Sequence, residues 1–194
     1  RLGREELPEK ENHVFCAAYR TDEFPKLLQY ADHIVFNSPS QLAKFGPAAK
    51  AAGKSIGLIP TMGALHEGHG SLIAAARKEN ELVIVSVFVN PTQFGPTEDL
   101  EAYPRDFKRD SELCESLGTD LIFHPEPKDM YHDPHAYVSI DTLSDTLCGQ
   151  TRPIHFKGVC TVVSKLFNIV APDRAYFGQK DAQQLAIIRK MVQD

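Results

Sequence analysis

The run Leu82-Val-Ile-Val-Ser-Val-Phe-Val89 is apolar at odd and even positions alike, apart from Ser86. A β-strand turns successive side chains to opposite faces, so a strand of this composition has to be covered on both. In a parallel sheet that cover comes from helices, and the chain supplies them in alternation. Strand-like runs fall at residues 13–16, 33–36, 55–59, 82–89, 120–123 and 174–177. Helix-like runs fall at 22–30, 39–52, 67–78, 106–117, 158–170 and 181–192, with a short extra strand expected at 137–140. The Pro-, Asp- and His-rich stretch 126–134 reads as a loop, and Gly46-Pro47 predicts a break or kink in the second helix. Alternation of this kind predicts an α/β fold with a doubly wound parallel sheet.

With 194 residues, 42% of them hydrophobic, the chain can build a sizeable core. Its net charge of −5, with Lys and Arg scattered among Asp and Glu, gives no basic stripe for nucleic acid and favours a small ligand. No apolar run approaches the roughly 20 residues that span a bilayer, and no signal-peptide pattern opens the chain, so it reads as cytoplasmic. Cys16, Cys114, Cys148 and Cys160 match neither a C-x-x-C pair nor a zinc spacing and read as reduced thiols. The first residue is Arg1 and the last, Asp194, falls at the end of an amphipathic helix, so the chain is expected to be a piece of a longer protein.

Chemistry concentrates in Pro60-Thr-Met-Gly-Ala-Leu-His66-Glu-Gly-His69, between the strand at 55–59 and the helix at 67–78. Gly63 and Gly68 permit the sharp turn there. The N–H groups and dipole at the helix start attract phosphate, and imidazoles three residues apart add donors toward charge developing on a phosphoryl oxygen. The metalloprotease zinc pattern needs two residues between His-Glu and the second His; here Gly68 alone intervenes. Two more polar clusters follow other strands: Asn90-Pro-Thr-Gln93-Phe94, and Gln179-Lys180-Asp181 with Gln183 and Gln184. Open α/β sheets bind ligands beyond the carboxyl ends of their strands, which is where all three clusters fall.

Five ordered blocks resemble the pantothenate synthetase family, of the Rossmann-like nucleotidylyltransferase superfamily with an H-x-G-H signature. They are Gly57 to His69, Val87 to Phe94, Glu98 to Arg105, Arg152 to Val159 and Phe177 to Leu185, so the likeness covers about residues 54–194. The resemblance implies condensation of pantoate with β-alanine through an enzyme-bound pantoyl adenylate, using ATP and Mg2+, in a family that is typically homodimeric. It gives His66, His69 and Lys180 to catalysis. ATP falls to Pro60, Met62, Gly68, His69, Gly178, Lys180 and Asp181. Gln93, Gln184, Arg152 and His155 fall to the substrate, and Asp110 to the metal.

Two departures from the family pattern carry expectations. The family continues into a smaller domain that closes over ATP; the sequence stops at Asp194, so turnover is expected to be weak or absent even where nucleotide binds. Residues 1 to about 58 resemble instead a piece of carboxynorspermidine decarboxylase, making residues 1–32 a surplus β-α leader and 33–194 the Rossmann-like domain, as in a chimera. The strand at 55–59 should have both neighbours occupied, so the strand at 33–36 is not expected against it, and the early strands are expected to add at an outer edge or to pack loosely. A non-catalytic domain that at most binds nucleotide is the alternative reading. Another adenylyl or cytidylyl transferase is disfavoured by the Gln93 and Gln184 blocks.

Overall fold

The computed structural model describes residues 13–15, 33–96 and 98–194. The helix expected at 22–30 and most of the leader 1–32 lie outside the described residues. In chain order the elements are β1 (His13–Phe15), β2 (His33–Phe36), α1 (Pro39–Ala51), β3 (Ile56–Thr61), α2 (Glu67–Glu79) and β4 (Leu82–Val87). There follow α3 (Phe107–Ser116), β5 (Leu121–Phe123), α4 (Pro127–Met130), α5 (Cys148–Thr151), α6 (His155–Val170), β6 (Arg174–Ala175) and α7 (Ala182–Gln193). Single 3-10 turns at Pro91–Gln93 and Gln179–Asp181 carry two of the polar clusters.

The strands form one parallel sheet in the order β1-β2-β5-β4-β3-β6. β3 lies between β4 and β6, while β2 pairs with β5 and β1 lies outside β2, so the early strands take the outer positions that the pairing argument requires. All six residues of β4 are buried, and alternate residues feed two cores. Leu58, Ile84, Leu121 and Phe123 face α1 and α6 with Leu42, Phe45, Val159 and Leu166. Ile59, Val83, Val85 and Ile122 face α2 and α3 with Ile73, Ala76 and Cys114. Burial pushes the Cys114 thiol up to about 12 and the Cys160 thiol up to about 11, so both stay protonated.

The break expected at Gly46-Pro47 and the strand expected at 137–140 are both corrected. α1 runs through Pro47 without a break. A proline crowds the β-carbon of the residue before it, and Gly46 has none. Gly46 is also where α1 meets the last turn of α6, for an added β-carbon would strike the Val170 carbonyl. The segment 137–140 forms no strand; the Val138 N–H donates 3.0 Å to the Thr161 hydroxyl, so a side chain on α6 takes the place of a neighbouring strand. Among the described residues no helix is long and apolar enough to cross a membrane.

Candidate active site

The turn after β3 is wound tightly. Gly63 and Ala64 both take positive φ, 86° and 52°. Thr61 Oγ1 accepts the Gly63 N–H at 3.2 Å and donates to the Ser86 carbonyl at 2.7 Å, tying the turn to β4. From α3, the buried Asp110 carboxylate accepts the Ala64 N–H at 2.9 Å on one oxygen and the Leu65 N–H at 2.7 Å on the other.

His66 then caps α2. Its Nδ1 accepts the Gly68 N–H at 3.0 Å, while His69 Nδ1 accepts the His66 N–H at 3.4 Å, a reciprocal capping box built from two imidazoles. An Nδ1 that accepts carries no proton, so a neutral ring in this cap holds its proton on Nε2. The ring centroids lie 4.2 Å apart. Gly68 is required beneath them, since a β-carbon there would lie 2.8 Å from His66 Cε1. Burial, then the neighbouring His66, pulls the His69 pKa below its usual 6.5, which keeps the ring neutral near pH 7. The helix start thus offers its polarity through two Nε2–H donors as well as through backbone.

Beyond β4, Asn90 is buried at the centre of a network. Its Oδ1 accepts from the Tyr131 hydroxyl at 2.7 Å and the Thr92 hydroxyl at 3.0 Å. Its Nδ2 donates to Gln93 Oε1 at 3.1 Å and to the Gly158 carbonyl at 3.2 Å. Because Asn90 occupies the oxygen of the Gln93 amide, the free end of that side chain is its NH2, which reaches Met62 Sδ at 3.0 Å.

Beyond β6, two adjacent glutamines part company. The Gln183 amide accepts the Cys148 N–H at 3.0 Å and donates to the Leu143 and Thr146 carbonyls at 3.0 and 2.6 Å, fastening the loop before α5. Gln184 faces a cavity of about 370 Å³. That cavity is shared by Pro60, Met62, His66, Gly68 and His69 from the first cluster, Asn90 and Gln93 from the second, and Gly178, Lys180, Asp181 and Gln184 from the third.

Three candidates stand back from this wall. Asp110 lies under the turn. Arg152 is paired with Glu98, whose other oxygen accepts the Gly95 N–H at 2.6 Å; that bond first, and the Arg152 guanidinium with it, hold the Glu98 carboxyl below the usual range. His155 places Nδ1 3.2 Å from the Gln93 carbonyl and Nε2 3.3 Å from Arg152 Nη1, so it braces Gln93 from behind. Burial, then the Arg152 cation, lowers its pKa. Sequence reading missed the apolar side of the cavity: Val159, Val162, Val163 and Leu166 on α6, with Phe88, Tyr103 and Phe177. The available signal was α6 itself, whose apolar residues are too many for one core-facing stripe.

The family model for pantoate-beta-alanine ligase matches residues 34–194, which takes in the stretch 34–53 that the sequence reading had likened to carboxynorspermidine decarboxylase. A pantothenate synthetase of Clostridium novyi (strain NT) is 58% identical over 159 residues, 81% of this chain and 56% of the relative. The crystal structure of pantothenate synthetase from Thermus thermophilus superposes with a TM-score of 0.77 at 46% identity, over 82% of this chain and 57% of that one. A pantoate-beta-alanine ligase from Francisella tularensis, complexed with beta-gamma ATP and beta-alanine, gives a TM-score of 0.78 at 41% identity, over 84% of this chain and 62% of that one. The chain spans about half the length of the curated relatives it matches. With three strand ends converging on one cavity and the match running from Ile34 to Asp194, the chain belongs to the pantoate-beta-alanine ligase family.

Proposed function

We propose that this chain binds ATP and pantoate side by side in the cavity between residues 60–69, Gln93 and residues 178–184, and serves the formation of pantoyl adenylate in pantothenate synthesis. The observation that carries the reading is that one cavity has both a donor-rich lining and an apolar lining with amide groups. In the first, the Nε2–H groups of His66 and His69 and the exposed Lys180 face phosphate charge. Met62, Gly68, Gly178 and Asp181 lie around them. In the second, Val159, Val162, Val163 and Phe88 suit the branched dimethyl carbon of pantoate, while the Gln93 NH2 and Gln184 meet its oxygens.

In this reading the pantoate carboxylate attacks the α-phosphorus of ATP, forming an acyl–phosphate bond as pyrophosphate leaves. The β-alanine amine then attacks the acyl carbon, gives up a proton, and AMP departs with the bonding pair. The first step needs alignment and charge neutralisation more than a base. His66, His69 and Lys180 stabilise the charge gathering on pyrophosphate, and the apolar wall excludes water from the acyl phosphate.

Magnesium belongs to the same chemistry, where it would neutralise phosphate charge. The protein donors do not form a cage for it: among the described residues no three His, Cys, Asp or Glu side chains gather, and Asp110 is 2% exposed with both oxygens already accepting N–H groups. An ion that takes phosphate oxygens and water as its main ligands needs no such cage.

The test is calorimetric titration with ATP and Mg2+, with and without pantoate, on the native chain and on His66→Ala with His69→Ala, together with an assay for pyrophosphate. Binding that the double substitution abolishes supports the reading. No ATP binding by the native chain overturns it, and binding without pyrophosphate release favours a nucleotide-binding domain that is not itself catalytic.

A further inference from the structure

The geometry points to Asp110 as the positioning residue of the histidine turn, an internal anion that fixes residues 63–65 and through them His66 and His69, and not a direct ligand of magnesium.

In a turn, successive backbone N–H groups can point into one concavity, the arrangement that cradles anions in phosphate-binding loops. Gly63 and Ala64 form that arrangement here, and the N–H groups of Ala64 and Leu65 point into it. Its occupant is already present: the Asp110 carboxylate, brought from the first turn of α3 across 46 and 45 residues of chain. Each oxygen takes one N–H at 2.9 and 2.7 Å, the short distances of charge-assisted bonds. A phosphate therefore cannot use this concavity, which leaves the imidazole edges and the start of α2 to meet it.

The sequence around the carboxylate follows from this role. A β-carbon on Gly63 would lie 2.9 Å from Asp110 Oδ2, so glycine is required by contact as well as by φ. Ala64, an L-residue at φ 52°, keeps an unfavoured conformation that the carboxylate over-determines. Leu65 is buried and passes directly into the His66 cap, so any drift of the two N–H groups reaches both rings. The carboxylate faces the turn, and Asp110 is not among the residues lining the cavity shared by His66 and His69.

The binding arm of the test rests on the nucleotide reading above; the amide arm does not. In Asp110→Asn, one oxygen becomes an NH2 that confronts an N–H donor. The Ala64 and Leu65 amide protons should exchange about ten- to a hundredfold faster than in the native chain, with amides of β4 unchanged and both histidine ring signals displaced. ATP affinity should fall by the same factor with magnesium and with magnesium chelated. Unchanged exchange at Ala64 and Leu65, or a loss of affinity confined to the magnesium arm, overturns the inference. Should the native chain bind no ATP, the proposed function fails and the exchange measurement still decides. Should Asp110→Asn not fold, Gly63→Ala displaces the same carboxylate oxygen without removing its charge. Faster exchange at Ala64 and Leu65 in that variant supports the inference, and unaltered exchange overturns it.

Discussion

Gly158 packs against the backbone of Gln93 with no room for a side chain: a β-carbon there would lie 2.5 Å from Gln93 Cα and 2.6 Å from its amide nitrogen. Glycine inside a helix costs roughly 0.5–1 kcal/mol relative to alanine, so the close approach outweighs propensity here. Gly158→Ala should force α6 and the Pro91–Gln93 turn apart and lower stability by about 1–3 kcal/mol. Calorimetry should show pantoate affinity reduced more than ATP affinity. Equal losses for both ligands would contradict the assignment of Gln93 to pantoate.

Gly68→Ala strains another part of the cavity. The new methyl meets His66 Cε1 at 2.8 Å and Nδ1 at 3.0 Å, so the ring must leave its cap on α2. Loss of a cap of this kind costs about 1 kcal/mol. The expected outcome is a modest drop in thermal stability with a disproportionate loss of ATP binding. A variant that binds ATP as the native chain does would show that the ring position is immaterial.

Asn90→Ala removes a buried hub. Tyr131 and Thr92 lose an acceptor, and the Gln93 Oε1 and Gly158 carbonyl lose a donor. With several buried polar groups left unpaired, urea denaturation should show a loss of about 2–3 kcal/mol. The Gln93 side chain would also be free to flip. Pantoate affinity should therefore fall beyond what the stability change alone produces.

The pH dependence of stability has a defined sign. His69 and His155 both have pKa values below the usual 6.5, chiefly through burial. As pH falls below 6.5 the unfolded chain takes up protons that the folded chain resists, so stability declines through that window and recovers as pH rises. Denaturant titrations at pH 7.5 and 5.5 should show the lower value at pH 5.5, with the gap narrowed in His69→Gln. A higher value at pH 5.5 would mean that both rings gain a partner on protonation.

The parallel sheet and its helices were legible because β4 announces two-sided burial and because strand and helix periods alternate cleanly around it. The outer placement of β2 was legible too, since β3 could have only two neighbours. Less visible was what compensates local rules. Pro47 reads as a break until Gly46 is seen meeting the end of α6, and 137–140 reads as a strand until Thr161 supplies its hydrogen bond. At the site, motif spacing placed the two histidines and Gln93 with the residues near 180, because strand ends fix where loops gather. Spacing alone did not separate Gln183 from Gln184, which only the family resemblance did, nor show that His155 stands behind Gln93 with Arg152 paired to Glu98, for these depend on packing between residues far apart in the chain.

The strand order also has a consequence in time. β6 is two residues long and reaches β3 late, with the Asp173 carboxylate accepting the Ile56 N–H at 2.8 Å across 117 positions. Contacts of such separation form late because a long loop must close before they give anything back. On the ribosome, the His66–His69 turn and Gln93 emerge well before residues 178–184, by about 5–20 s at ordinary elongation rates. Until β6 docks on β3, the growing chain carries the histidine turn with one side of the cavity still absent, so the cavity itself is assembled only after residues 178–184 have emerged.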